Sequence, residues 1–223
     1  MAVPLDGDLI NLHTHDSVRT RGVFAVENLM LHEGRLPDNA ADAFSVGVHP
    51  WFLQKENLGE QLSLLAQLTD DERVIAVGEA GYDRRRGAGV GLQQEAFEAQ
   101  AQLAEDKGKP LVIHCVKGWD ELWASKRRLK PQVPWIIHGF NGGIDQARQL
   151  VAGGMYLSLW VKSVLNGALD PVIAGIPHEL IFLETDGFEV DLALVYEKAA
   201  QGVNIPVGLF ADTIRNNYLS LFV

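Results

Sequence analysis

The chain has 223 residues, 47% hydrophobic and 22% charged, with a formal net charge of -10 at pH 7. That is enough chain for one barrel-sized core, and the acidic balance excludes a broad cationic nucleic-acid surface, leaving local basic groups or bound metal to meet any phosphate. One cysteine excludes an intramolecular disulfide framework and fits a reducing cytoplasm, while the start "MAVPLDGDLINLHTH" lacks the order of a signal peptide and no apolar run approaches the ~20 residues of a membrane span.

Apolar runs alternate with amphipathic segments, without repeats or low-complexity linkers, so residues 1–223 read as one domain. Strands are predicted at about 8–13, 22–28, 43–48, 74–79, 110–115, 133–138, 154–160 and 180–185. Most are apolar on both faces, as parallel strands covered by helices are. "HEGRLPDNAA" (32–41) reads as loop with little helix. Helices follow at 56–68, where Leu58, Leu62, Leu65 and Leu68 recur, and at 92–107, where Ala96, Phe97, Gln100, Leu103 and Ala104 make one face. Gly108 is a left-handed stop and Pro110 opens the next strand. A helix at 143–153 carries Ile144, Ala147, Leu150 and Val151, and the tail adds helices at about 190–201 and 208–222. This order predicts a (β/α)8 barrel, whose functional residues gather at the C-terminal ends of the strands. A doubly wound sheet is the alternative topology, with its strand ends spread along a line.

The strand ends carry the chemistry. "DLINLHTH" ends in His13 and His15, two apart and so on one side of an extended chain. "FSVGVHP" ends in His49, "VIAVGEAG" in Glu79, "KPLVIHC" in His114, "WIIHGF" in His138, and "LIFLETDG" in Asp186. A carboxylate at the end of an apolar run is costly unless it is paired or binds metal. Taken with the histidines, Glu79 and Asp186 form a nitrogen and oxygen set suited to one or two divalent ions such as Zn²⁺, Mn²⁺ or Mg²⁺.

With "NLHTH" (11–15), "VGVHPW" (46–51), "AVGEAGYD" (76–83), "LQQEAFEAQAQLA" (92–104), "KPLVIHC" (109–115), "WIIHGFNGG" (135–143) and "IPHELIFLETD" (176–186) in this order, the chain resembles the TatD family of metal-dependent hydrolases over essentially its whole length. The resemblance implies a distorted TIM (β/α)8 barrel of the metallo-dependent hydrolase type, and one or two metals hydrolysing phosphodiesters, typically as a deoxyribonuclease. By motif it implies that His13 and His15 bind a first metal, that Glu79 bridges, that His114 and His138 bind a second, and that Asp186 holds the first metal and the attacking water. Asp186 is then the general base and Glu79 shares the catalytic centre. Lys117, or Arg84 to Arg86 in "DRRRG", would neutralise developing charge, with His49 and Trp119 on the substrate side.

The chain departs from the family pattern at four places. Asn11 stands where the family has Asp, and Val116 where it has a phosphate-binding arginine, with Lys117 next. "ETDGF" lacks the proline after Asp186, and the long substrate loop that normally follows is missing. The metal set is untouched, but a long polynucleotide is disfavoured against a short or small diester. Another ester or amide, such as aminoacyl-tRNA, or metal binding without catalysis are the alternatives. Cys115 reads as a small hydrophobe, Trp51 and Trp119 as packing or base-stacking rings, His32 and His178 as exposed, and "SKRRLK" (125–130) as charge at a helix C-terminus.

Overall fold

Runs that are apolar on both faces need cover on both faces, and parallel pairing with crossover helices supplies it. The computed structural model describes residues 3–15, 20–33 and 41–223; residues 34–40 of the expected loop lie outside them. Eight strands form one sheet in chain order: β1 (Leu9–Thr14), β2 (Val23–Met30), β3 (Ala43–Gly47), β4 (Val74–Asp83), β5 (Leu111–Val116), β6 (Trp135–Phe140), β7 (Met155–Leu159) and β8 (Ile181–Leu183). The pairs β1–β2, β3–β4, β4–β5 and β7–β8 are parallel. The helices are α1 (Leu58–Leu68), α2 (Val90–Lys107), α3 (Trp119–Leu129), α4 (Ile144–Ala152), α5 (Val161–Leu165), α6 (Asp170–Gly175), α7 (Leu192–Gly202) and α8 (Val207–Phe222).

The predicted strands and helices all form, with three differences of local origin. β4 runs on to Asp83 because Ala80, Gly81, Tyr82 and Asp83 keep pairing with Ile113, His114, Cys115 and Val116, so Glu79 lies within the strand. Gly81 permits that register: its φ is +157°, and a Cβ there would fall 1.9 Å from the His114 carbonyl oxygen. β8 is shorter than expected, since His178–Leu180 forms a 3-10 turn before it and a turn closed by Phe188 N–H on the Thr185 carbonyl follows. The short helices α5 and α6 were too brief to show a period in sequence. His178 is half-buried rather than exposed, with Nε2 3.0 Å from the Ile173 carbonyl and its ring against Phe210.

The chain packs as two units. The first has described residues 3–15, 20–27, 41–42 and 137–223. Its core joins Ile10, Leu12 and Phe24 to Leu157, Phe182, Tyr196, Phe210, Ile214 and Tyr218. β1 lies beside the chain leaving β8: Asn11 Oδ1 accepts from Thr185 N (3.0 Å), and Asn11 Nδ2 donates to Thr185 Oγ1 (2.9 Å). With strands in chain order, this adjacency of first and last strands is what a (β/α)8 barrel requires. Tyr196, fully buried on α7, clamps β1 from behind. Its hydroxyl donates to the Ile10 carbonyl (2.9 Å) and accepts from the Ile10 amide (3.1 Å). Tyr196→Phe is expected to cost about 1–3 kcal/mol for the buried groups left bare, seen as a Tm drop of ~2–4 °C per kcal/mol. An unchanged Tm would show that the hydroxyl carries no weight.

The second unit has described residues 28–33 and 43–136. Its core is Phe44, Val46, Leu65, Val77, Phe97, Leu111, Leu122 and Trp135. α2 buries Gln93 and Gln100 along with Ala96, Phe97, Ala101 and Ala104, and stops at Gly108 with φ +62°, as expected. The two glutamines hold strand ends. Gln100 Oε1 accepts from Val48 N (2.7 Å) and Nε2 donates to the Val48 carbonyl (3.1 Å). Gln93 does the same for Asp83, at 2.8 and 2.9 Å. α3 ends in Lys126, Arg127 and Arg128, the charge "SKRRLK" was expected to place there; Lys126 lies over Trp135, and Arg128 pairs with Glu98. Among the described residues no helix is long and apolar enough to cross a membrane.

Candidate metal centres

In the first unit, His13 near the end of β1 is wholly buried and His15 follows in a bend. Their rings meet edge to face at 5.1 Å, so the two-residue spacing does put both on one side. Both Nε2 atoms stand 3.5 Å from Asp186 Oδ1. Asp186 reaches them because its backbone is left-handed (φ +48°) and its N–H donates to the His13 carbonyl (3.0 Å). Gly187 then continues at φ +72°, which proline could not adopt. Asn11 fixes Thr185, the residue before Asp186, and Thr185 Oγ1 donates to Thr14 Oγ1 at 3.0 Å. The asparagine in place of the family's Asp therefore ties β1 to the Asp186 turn with both a donor and an acceptor. Burial alone would raise the Asp186 carboxyl, but hydrogen bonds from His13 and His15 and the charge of His138 outweigh it and hold it well below the usual carboxylate range.

His138, on β6, packs its ring tilted against His13, with centroids 4.2 Å apart. Behind it Glu184 is wholly buried: Oε1 accepts from Gly139 N (2.7 Å) and lies 3.6 Å from His138 Nδ1, while Oε2 has no protein partner among the described residues.

In the second unit, His49, Glu79 and His114 are all buried. His49 caps the 3-10 turn Pro50–Phe52, its Nδ1 accepting from Trp51 N at 3.1 Å. That leaves the proton on Nε2, 3.1 Å from Glu79 Oε1. His114 sits between two carboxylates, with Nδ1 2.8 Å from Glu79 Oε1 and Nε2 3.1 Å from Asp83 Oδ2. Asp83 is a hub, accepting also from Trp51 Nε1 (2.6 Å), Arg85 N (2.8 Å) and Arg86 N (3.0 Å). Burial works to raise its carboxyl, but the hydrogen bonds from Trp51, Arg85 and His114 prevail and lower it.

These residues fit divalent cations on chemical grounds. The donor atoms of His13, His15 and Asp186 lie within 4.8 Å of one another, and so do those of His49, Glu79 and His114. His114 Nδ1 faces Glu79 Oε1 and its Nε2 faces Asp83 Oδ2, so the ring can give a lone pair to a cation beside Glu79 while its other nitrogen donates to Asp83.

Of the expected substrate-side residues, His49 touches Glu79, while Arg84, Lys117 and Trp119 share no hydrogen bond with the cluster among the described residues. Arg84 is exposed and pairs with Glu121 at 3.3 Å, and Arg86 lies 4.0 Å over the Trp51 ring, so two cations of "DRRRG" are already engaged. Lys117 is exposed after β5, and Trp119 is half-buried at the start of α3. Among the described residues neither shares a hydrogen bond or ion pair with His49, Glu79 or His114. Cys115 is half-buried and burial pushes its thiol up, as for an inert small side chain. Sequence reasoning missed Asp83, Gln93 and Glu184. Gln93 recurs seven residues before Gln100 on the apolar face of α2, a signal available in the sequence.

A parallel sheet in chain order with histidines and carboxylates at its strand ends defines the fold class, a distorted TIM barrel of the metallo-hydrolase type. The TatD related DNase family matches residues 35–222, and this chain belongs to that family. The 3'-5' ssDNA/RNA exonuclease TatD of Edwardsiella piscicida is 33% identical over 147 residues, covering 64% of this chain and 56% of that protein. The chain thus spans about half the length of the curated relatives it matches. Among solved structures, a TatD family hydrolase from Entamoeba histolytica superposes with a TM-score of 0.80 at 16% identity, covering 98% of this chain and 99% of the other. YJJV, a TatD homolog from Escherichia coli K12, gives 0.74 at 23% identity, covering 96% and 97%.

Proposed function

We propose that this protein is a metal-dependent phosphodiesterase acting on single-stranded nucleic acid or smaller diesters, with residues 1–223 working as one domain in a reducing cytoplasm. The observation that carries it is the pairing of buried imidazoles with buried carboxylates at strand ends, in a family whose curated relatives include exonucleases of single-stranded DNA and RNA. His13, His15 and Asp186 hold one cation, with His138 beside them, and Glu79 and His114 hold another. His49 keeps Glu79 aimed by its Nε2–H. Zinc or manganese suits these histidine-rich sets better than magnesium. When bound, such ions polarise a phosphoryl oxygen and lower the pKa of a water. Asp186, ionised and fixed by its own backbone bond to His13, accepts the proton of the attacking water. Lys117, exposed just after β5, supplies the charge that Val116 does not.

The test is elemental analysis of protein purified without chelator, followed by turnover of a chromogenic diester, a short single strand and a long duplex at one salt concentration. Bound zinc or manganese and a preference for the two short substrates are expected, because the chain is acidic and residues 187–191 alone link Asp186 to α7. Under ~0.3 metal per chain with no recovery on reconstitution, or a preference for the long duplex, would refute this reading.

A further inference from the structure

We propose that a cavity of about 580 Å³ in the second unit, walled by Trp51 and Phe52, is a nucleobase site. The inference deepens the phosphodiesterase reading and rests on it for the class of molecule that carries the base. The volume is in the range of small-molecule sites. The lining combines planar rings with amides: His32, Phe52 and Trp51 on one part, Gln54, Asn57 and Gln61 on another. His32 and Phe52 are stacked, with centroids 3.6 Å apart and planes 24° from parallel, and the exposed His32 ring offers a flat face to a further ring. Asn57 Oδ1 and Gln61 Oε1 are buried without a protein partner among the described residues, so an amide that turns toward a ligand donor gives up no protein hydrogen bond on its oxygen.

Charge selects what enters. Among the described residues neither lysine nor arginine lines the cavity, while Glu60 does, which disfavours a phosphate against a neutral heterocycle. The wall is also firmly set. Trp51 Nε1 is fixed on Asp83 Oδ2 at 2.6 Å, and the Arg86 guanidinium covers its ring at 4.0 Å. The rings of Trp51 and Phe52 pack on His49, at 4.8 and 5.7 Å between centroids. His49 in turn touches Glu79. One layer of aromatic side chains therefore separates the cavity from the His49–Glu79–His114 cluster. A nucleotide whose phosphate meets that cluster can seat its base in the cavity by stacking on His32 and bonding its edge to the amides. Stacking tolerates any base, because every base has a π-face.

The experiment uses the full chain stripped of metal, so that binding is read apart from turnover. Adenosine and cytidine are titrated by tryptophan fluorescence and calorimetry, with ribose 5-phosphate as the probe that has sugar and phosphate but no base. Both nucleosides are expected to bind and ribose 5-phosphate to bind far more weakly. His32→Ala is expected to weaken adenosine by about five- to 150-fold, the span of one base stack. Gln61→Leu is expected to weaken it by less and to change the ratio of adenosine to cytidine binding. Adenosine binding no tighter than ribose 5-phosphate, or binding indifferent to both substitutions, overturns the proposal. If one variant unfolds, the other and the wild-type comparison still decide. Base binding without diester turnover in the metal-loaded protein would sink the catalytic reading and leave this site standing; turnover without base binding would do the reverse.

Discussion

Asp186→Asn is expected to lower diester turnover by about 10²–10⁴-fold, the usual worth of a positioned general base, while most of the metal stays bound. Asparagine keeps the shape and one coordinating oxygen. It also tolerates the left-handed backbone that Asp186 adopts at φ +48°, so the turn after β8 should survive. What it cannot do is take a proton. The wild-type carboxyl is held ionised because its contacts with His13 and His15 outweigh its burial. A lowered pKa makes a weak base, so placement has to supply most of its effect, through the backbone bond to His13 and the Asn11–Thr185 clamp. Metal content and turnover measured on the same preparation decide the matter. If the variant stays within about tenfold of wild type at full metal occupancy, Asp186 is not the base.

The strand ends were legible because period and chemistry agree there. A buried parallel strand is a short apolar run, and a histidine or carboxylate closing it has no packing reason to be present. His13, His15, Glu79, His114, His138 and Asp186 could be marked on that ground as a joint set of nitrogen and oxygen donors. The support behind them was not legible in the same way. Asp83 lies beyond the apolar run of β4, and only the continued pairing of Ala80 to Asp83 with β5 brings it onto His114. Glu184 precedes Asp186 but is buried whole against the Gly139 amide, a contact across 45 residues that no local pattern encodes. The surroundings of the basic run "DRRRG" were hidden for a related reason. Its charge suggested phosphate, yet the fold binds Arg85 and Arg86 amides to Asp83 and places the Arg86 guanidinium on Trp51.

Glu79→Ala is expected to remove metal from the second unit and to loosen the unit itself. Glu79 Oε1 receives His49 at 3.1 Å and His114 at 2.8 Å, in a place where the three side chains are almost sealed from solvent. Taking the carboxylate away removes the acceptor at His49 Nε2, at about 1–3 kcal/mol for the buried N–H, and takes the one carboxylate out of the His49–Glu79–His114 set. Metal affinity should fall by more than the ~10–100-fold typical of losing a ligand's outer partner. Asp83→Asn supplies that milder case in the same cluster. It keeps Glu79 and the His114 Nδ1 donor, and alters only what His114 Nε2 leans on, so its loss should stay within ~10–100-fold. Chelator competition with each variant, together with Tm in the metal-free state, ranks the two. Equal affinities for wild type and Glu79→Ala would mean that Glu79 is a structural hydrogen-bond acceptor for two histidines and not a ligand. A larger loss for Asp83→Asn than for Glu79→Ala would instead put the cation on the Asp83 side of the His114 ring.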